Sequence, residues 1–546
     1  MGRRNTVALL AALAVIGVAN PAWAQDSKNA APASKADSKA AAKSRTPKHS
    51  SDQLAGWIDA RFYELWKQAG VEQKEVVDDG TYLRRVYLDL LGTIPSVAQT
   101  RDFLADTAAD KRPRIVEKLM GEARSSAHLS RVYQRVMVPS GSPGMMFAPQ
   151  FGAWLKQQMA ARVPYDKIAR DLVTANTNVA FAGFAGPDQQ VRSGTPGAFY
   201  RAVGATPDAA ASSLSRVFLG VRIGCAKCHN HPFADWRQED FWGMAAFFAS
   251  ANFAGQPGTP ADDSKNIKIK PMESDKEYTI RFLWSEEPAA LHDNKSPRQI
   301  LADWLVSKDN PNFAATAVNR VWQQLCGQGL IPHVDDLDQA TPKQRAVVLD
   351  DLAKEFIAAD YDLQWLIEGI CKSRVYQRLS ATGNDPPPDS PLAIHRPLKT
   401  LTPEQVFDAL EQALMLPLGR ADRGPAYRAQ AGTLIQRLNE AFSDSPDQFR
   451  AGIPQALVIM NGTIVSNATE LEESRTLRAV VDAPFLEPTQ KVETLYLAAL
   501  TRKPEARELE KMLAHLNSQT GEEDRRKAYT DIYWALLNSP EFVFNR

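Results

Sequence analysis

Apolar side chains recur every three or four residues along almost the whole of this chain, between start and stop signals for helices, and strand-type alternation is nearly missing. That period belongs to α-helices with one buried face. The expected fold class is therefore mainly α: two packed helical domains with long irregular loops and little strand. Ser50 with Gln53 makes the first capping-box signal, Leu54, Ile58, Phe62, Leu65 and Ala69 follow at helical spacing, and Gly70 supplies a stop. Ser96 with Gln99, Thr206-Pro207 and Ser296-Pro297 open further helices in the same way, and Gly220 ends the one that Thr206 begins. Helices are also expected over residues 238–250, 313–326, 343–358, 363–374, 403–415, 427–442, 491–500, 505–519 and 524–537. Residues 278–283 are the best strand candidate. Residues 175–206 and 251–275 lose periodicity and read as loop and connection, and a proline-rich run from Asp385 to Pro391 interrupts the second helical block.

The first 24 residues have the pattern of a secretory signal peptide: Arg3 and Arg4, an apolar run from Val7 to Val18, and the small-x-small ending Ala22-Trp23-Ala24. Export to the periplasm or cell surface is the expectation. There is no cysteine at the apolar run to carry a lipid, and no later segment has the length of uncharged sequence that an integral membrane span needs. Residues 25–50 are Ala, Ser, Lys, Asp and Pro with almost no large apolar side chain, which reads as a disordered tether. Beyond it lie an expected first domain at 51–260, a connection at 261–290 and a helical domain at 291–546. The 64 basic and 64 acidic residues balance, so no charge excess steers the chain to nucleic acid.

Chemistry concentrates in Cys225-Ala226-Lys227-Cys228-His229, the CxxCH spacing of haem c attachment, on a chain with four cysteines and eight histidines. In that arrangement two thiols close on the haem vinyl groups and the adjacent imidazole reaches the iron. Cys225, Cys228 and His229 are thus the candidate cofactor-binding residues. Phe241 to Phe248 are a candidate wall for the macrocycle, and Met244 and Met272 are the nearest downstream thioethers. Two other chemistries stay open. A single metal ion, zinc or another soft metal, would use the thiols with His229, His231 and Asp235. A local disulfide would leave the histidines as surface or packing residues. Cys326 and Cys371, each in an apolar helical context, read as buried small hydrophobes or as a mutual disulfide.

A second cluster joins Asn319-Arg320 to Asp335-Asp336-Leu337-Asp338. Its acids are expected to serve as helix-terminal charges or in a salt-bridge network that orients Arg320; calcium ligation is the rival, although the spacing is not an EF-hand loop. In Arg84-Arg85-Val86-Tyr87-Leu88-Asp89, Arg85 and Asp89 stand four apart and are expected to pair along one helix. No phosphate loop, nucleophile elbow or HExxH motif is present, so no catalytic residue is assigned.

Several runs together resemble a known pair of domains. The stretch from Tyr82 through Leu90-Leu91-Gly92-Thr93-Ile94-Pro95, and Val217-Phe218-Leu219-Gly220 leading through the cysteines to His231-Pro232, are similar to the cytochrome-like domain of large exported proteins abundant in planctomycetes. Leu301-Ala302-Asp303-Trp304, Val318-Asn319-Arg320-Val321-Trp322, Asp335-Asp336-Leu337, Pro454-Gln455-Ala456-Leu457 with Asn461, and the run from Trp534 to Phe542 resemble its usual partner domain. Both domains are of unknown function. The resemblance implies a cytochrome-like role resting on the same CxxCH. The resulting expectation is an exported protein in electron transfer or redox sensing, with an unknown redox partner or cell-surface component. The alternative is a non-haem cell-surface binding or scaffold protein whose CxxCH is a disulfide or metal staple. A hydrolase using Asp335, Asp336 or Asp338 is a third, lesser reading.

Overall fold

The computed structural model describes residues 49–70, 75–179, 194–231, 234–251, 253, 267–272, 274–292, 294–339, 348–380, 396–415 and 474–546, together with 432, 433, 435 and 436. The expected signal peptide and nearly all of the tether lie outside them, as do Asp385 to Pro391, Pro454 to Leu457, Asn461 and most of the helix expected at 427–442. What is described is mainly α: helices succeed one another throughout, and strands amount to two antiparallel pairs of two residues each. No helix among the described residues is long and apolar enough to cross a membrane.

The capping signals are realised at atomic level. Ser50 N donates to Gln53 Oε1 at 2.7 Å while Ser50 Oγ accepts from Gln53 N at 3.2 Å, and Gly70 ends the helix Ser51–Ala69 in the left-handed region at φ 66°. The buried stripe runs Leu54, Ile58, Phe62, Trp66, while Ala69 is exposed. Ser96, Thr206 and Ser296 cap Val97–Ala105, Pro207–Leu219 and Pro297–Leu305 as expected. The strand expected at 278–283 is only Tyr278–Thr279, paired with Lys268–Ile269 in the supposed connection. It stops because Ile280 turns its carbonyl to Ala289 N at 2.8 Å and the chain bends at Phe282 to Ser285.

Two hydrophobic cores form. The larger gathers buried side chains from Leu54 to Tyr376, drawing on both sides of residues 261–290. The smaller combines Leu88 and Ile94 with residues between Leu401 and Phe542. The helix Asp79–Leu91 feeds both, and every residue of it from Tyr82 to Leu91 is buried.

That burial overturns the expected Arg85–Asp89 pair. A helix wrapped on all sides must find partners for its polar groups in other segments. Asp89 accepts from Tyr376 Oη at 2.7 Å, Asn545 Nδ2 at 2.8 Å and Arg396 Nη2 at 3.1 Å, and pairs with Lys399. Arg85 instead donates to the carbonyls of Tyr376, Arg378 and Arg546, and Arg84 to those of Ala499 and Phe542. Lys399–Thr400 also forms a strand pair with Phe544–Asn545. Burial opposes the charge on Asp89, but Lys399 and Arg396, with the Tyr376 hydroxyl, hold its carboxyl below the usual range.

Asp89→Ala is expected to cost about 3–5 kcal/mol of unfolding free energy in urea at neutral pH, because it strands buried cations. The folded pKa lies below the unfolded value of 3.8, so this stabilisation is present above 3.8 and is lost as pH falls through the depressed value. The gap between wild type and variant should stay flat through mildly acidic pH and narrow only below that point.

Candidate functional site

The CxxCH turn hangs between two fixed points. Upstream, Pro207–Leu219 ends at Gly220, whose φ is +64° and whose missing Cβ would lie 2.9 Å from Leu337 Cδ1 and 3.0 Å from the Val334 carbonyl. Only glycine satisfies both the left-handed backbone and this close approach. Val221, Ile223 and Ala226 then point into the core, and a short 3-10 helix, Gly224–Lys227, carries the first cysteine. Cys225 lies within this turn and Cys228 caps its end, and both are exposed.

Downstream, the first turns of the helix Gln238–Ala246 pin the motif from outside. Trp242 Nε1 donates to the Lys227 carbonyl at 3.0 Å, and Gln238 Nε2 to the Cys228 carbonyl at 2.8 Å. Gln238 N donates to Asn230 Oδ1 at 3.1 Å, and Lys227 pairs with Asp208 at 2.6 Å. His229 is exposed, and its Nδ1 lies 2.7 Å from the Asn230 carbonyl. A carbonyl only accepts, so this contact is a hydrogen bond only when Nδ1 carries a proton.

His231 and Asp235 do not join these side chains. His231 Nδ1 accepts from Ala234 N at 2.9 Å and its own N–H goes to the Trp236 carbonyl at 2.7 Å, which closes a turn, while Asp235 is exposed. Among the described residues no three His, Cys, Asp or Glu side chains gather as a metal site. Phe241, Met244, Phe247 and Phe248, the expected haem wall, are packed into the larger core. Met272 is fully exposed. Two exposed thiols and the exposed imidazole of His229 are the donors the turn presents. The helix behind them does not supply an apolar slot.

No cysteine is bonded to another. Burial pushes the Cys326 thiol up to about 12 and that of Cys371 well above its usual value, as expected of inert core thiols.

The acidic cluster proves to be a joint. Asp335 is buried and held by Arg320, by Arg222 at 3.5 Å and by Arg216 at 3.6 Å, with Arg222 also 3.7 Å from Asp336. Burial opposes its charge, but Arg320 and Arg216 outweigh that and keep the carboxyl below its usual range. A carboxylate so neutralised orients arginines and is not poised for hydrolysis. Asn319 makes two hydrogen bonds to the Ile331 backbone, at 2.9 and 3.0 Å, which fixes the turn that carries these acids. Asp338 behaves differently: burial, with Asp336 adding, raises its carboxyl, and Trp236 Nε1 donates to it at 2.7 Å. Trp236 and Leu337, whose N–H reaches the Gly220 carbonyl at 2.8 Å, thus tie both flanks of the CxxCH turn to the acidic turn. Sequence reasoning missed Trp236, Gln238 and Trp242. The one available signal was that a buried indole N–H needs an acceptor.

In the native, cofactor-free chain a thiol reagent such as DTNB should modify Cys225 and Cys228 rapidly and the other two only after unfolding. Rapid release from all four would contradict the burial described.

Residues 57–253 match the family model PSCyt2, protein of unknown function (DUF1549), and residues 297–431 match PSD1, protein of unknown function (DUF1553). No curated protein and no solved structure matches the chain. The chain thus carries, in this order, a pair of domains of unknown function, with Cys225, Cys228 and His229 inside the first and the Asp335 turn inside the second.

Proposed function

We propose that this is an exported helical protein which carries a c-type haem on its surface through Cys225, Cys228 and His229, and that it transfers electrons to, or senses the redox state of, an external partner. The observation that carries the reading is the pair of exposed thiols, one within a 3-10 turn and one at its end, followed at once by an imidazole whose Nδ1 lies against a backbone carbonyl. When bound, the group would supply a one-electron iron couple. Each thiol would add its sulfur and hydrogen across a vinyl double bond, which consumes no oxidant. His229 would bind through Nε2, and the hydrogen bond from Nδ1–H to the Asn230 carbonyl would fix its ring and raise its basicity. Lys227 and Trp242 keep the intervening turn in place.

The second reading is a non-haem binding or scaffold protein with the cysteine pair as a disulfide or metal staple. Burial of Phe241, Met244, Phe247 and Phe248 favours it, because that helix has no free apolar face to lay against a macrocycle.

One experiment separates the two. Protein made with haem-maturation machinery should show a Soret band that survives acid-acetone extraction, and an intact mass raised by one haem. Cys225→Ala with Cys228→Ala should abolish both while leaving the far-UV helical signal unchanged. A colourless wild type whose mass is lower by two hydrogens would establish the staple, and a colourless, unmodified, iron-free chain would end the haem reading.

A further inference from the structure

Four hydrogen bonds converge on the short stretch from Lys227 to Asn230, and their geometry implies more than that the turn is rigid. Trp242 and the side chain of Gln238 take the carbonyls of Lys227 and Cys228, and the backbone N–H of Gln238 takes Asn230 Oδ1. The Asn230 carbonyl stands 2.7 Å from His229 Nδ1. An exposed imidazole in water ordinarily prefers its proton on Nε2. Here a backbone carbonyl faces Nδ1, and among the described residues it is the ring's one hydrogen-bond partner.

We propose that Gln238 and Asn230 are positioning residues that hold His229 as its Nδ1–H tautomer, with Nε2 bare on the outer edge, ready for a metal centre carried by the two thiols. The kind of centre rests on the haem-attachment reading; the tautomer is a property of the chain alone. The physical need is plain. A ring nitrogen that carries a proton cannot donate a lone pair, so a histidine left to its solution preference must shift its proton before it can bind. A preset tautomer removes that step, as the hydrogen-bonded outer nitrogen does in metal-binding histidines generally. Asn230 and Gln238 act through the backbone of residues 228–230.

The test uses the full-length, cofactor-free chain labelled with ring-¹⁵N histidine, in mildly alkaline buffer, with the His229 signal assigned by loss in His229→Gln. Wild type should show mainly Nδ1–H. Gln238→Ala and Asn230→Ala should each move the tautomer ratio toward Nε2–H by about fivefold, the size expected for one ordinary hydrogen bond. Asn230→Asp keeps the acceptor for Gln238 N and should retain the wild-type ratio. Gln238→Glu has no donor for the Cys228 carbonyl and should behave like Gln238→Ala. A merely structural role predicts none of this pattern, because thermal midpoints should be nearly equal in all four. The proposal is overturned if wild type is mainly Nε2–H, or if the ratio is the same in every variant. Should Gln238→Ala fail to fold, the Asn230→Ala and Asn230→Asp pair decides alone. The two readings fail separately: a wild type with Nδ1–H that takes up no haem ends the haem assignment and leaves this one standing, and a haem-bearing protein whose free form is mainly Nε2–H does the reverse.

Discussion

The buried carboxylate of Asp89 is the charge on which the architecture turns. Removing one carboxylate from water costs several kcal/mol, and its partners offset that only if the geometry is nearly complete. Asp89 reaches that state with four groups that lie far from it in sequence: Tyr376, Arg396, Lys399 and Asn545. The Tyr376 ring is in turn faced by Arg85 at 5.6 Å and Arg396 at 5.2 Å, so one of the cations that neutralise the carboxylate also packs on the group that hydrogen-bonds it. Asp79–Leu91 is therefore a spindle: its apolar residues enter two cores, and its polar residues specify which distant strands and turns may close over it. A purely apolar helix here would bury as much surface, but would not dictate that Lys399–Thr400 pair with Phe544–Asn545 beside it.

A second buried acid performs a comparable task nearer the candidate site. Asp335 is matched by three arginines, two of them from the segment just before the cysteines, Arg216 and Arg222. Gly220 lets the Val334–Leu337 backbone come close enough for this, and Trp236 closes the far side on Asp338. The CxxCH turn is thus suspended from a joint that belongs to both matched domains. The acidic turn of the second matched stretch bears directly on the backbone that leads into the cysteines. This also explains why short surface residues such as Cys225 and Cys228 can hold one arrangement while exposed: the immobility comes from Ala226, Trp242 and Gly220, not from their own packing.

Local signals were legible in the sequence and distant ones were not. Capping boxes at Ser50 and Ser96, the N-cap at Ser296 and the stop at Gly220 depend on residues within a turn of each other, and the structure forms each one. The Leu54 stripe held its period, although Trp66 rather than Ala69 ends its buried face. Arg85 and Asp89 were misread because the i,i+4 rule describes an exposed helix face, whereas in a fully buried helix the competing carbonyls and cations of other segments win. The strand at 278–283 was overestimated because alternation says nothing about whether a partner strand continues. At the site, spacing identified the thiols and His229. It could not show that His231 would be used up closing its own turn, or that Phe241 to Phe248 would face inward.

The exposure of the site constrains its chemistry more than its residue types do. Catalysis on a bound substrate draws its strength from fixed dipoles in a space from which water is excluded. Cys225, Cys228 and His229 face solvent, and the apolar side chains nearest in sequence are spent on the core. Among the described residues, nothing encloses these three side chains. Electron exchange between surfaces asks for just that combination: a redox centre near the edge, on a support stiff enough that its ligands do not reorganise when its charge changes. A staple asks for less, since a disulfide between the same thiols would add little to a turn already held by Trp242, Gln238 and Lys227. That redundancy is the physical reason to weigh attachment above bracing: four hydrogen bonds and an ion pair already do what a staple would do, and they leave two reactive sulfurs outside.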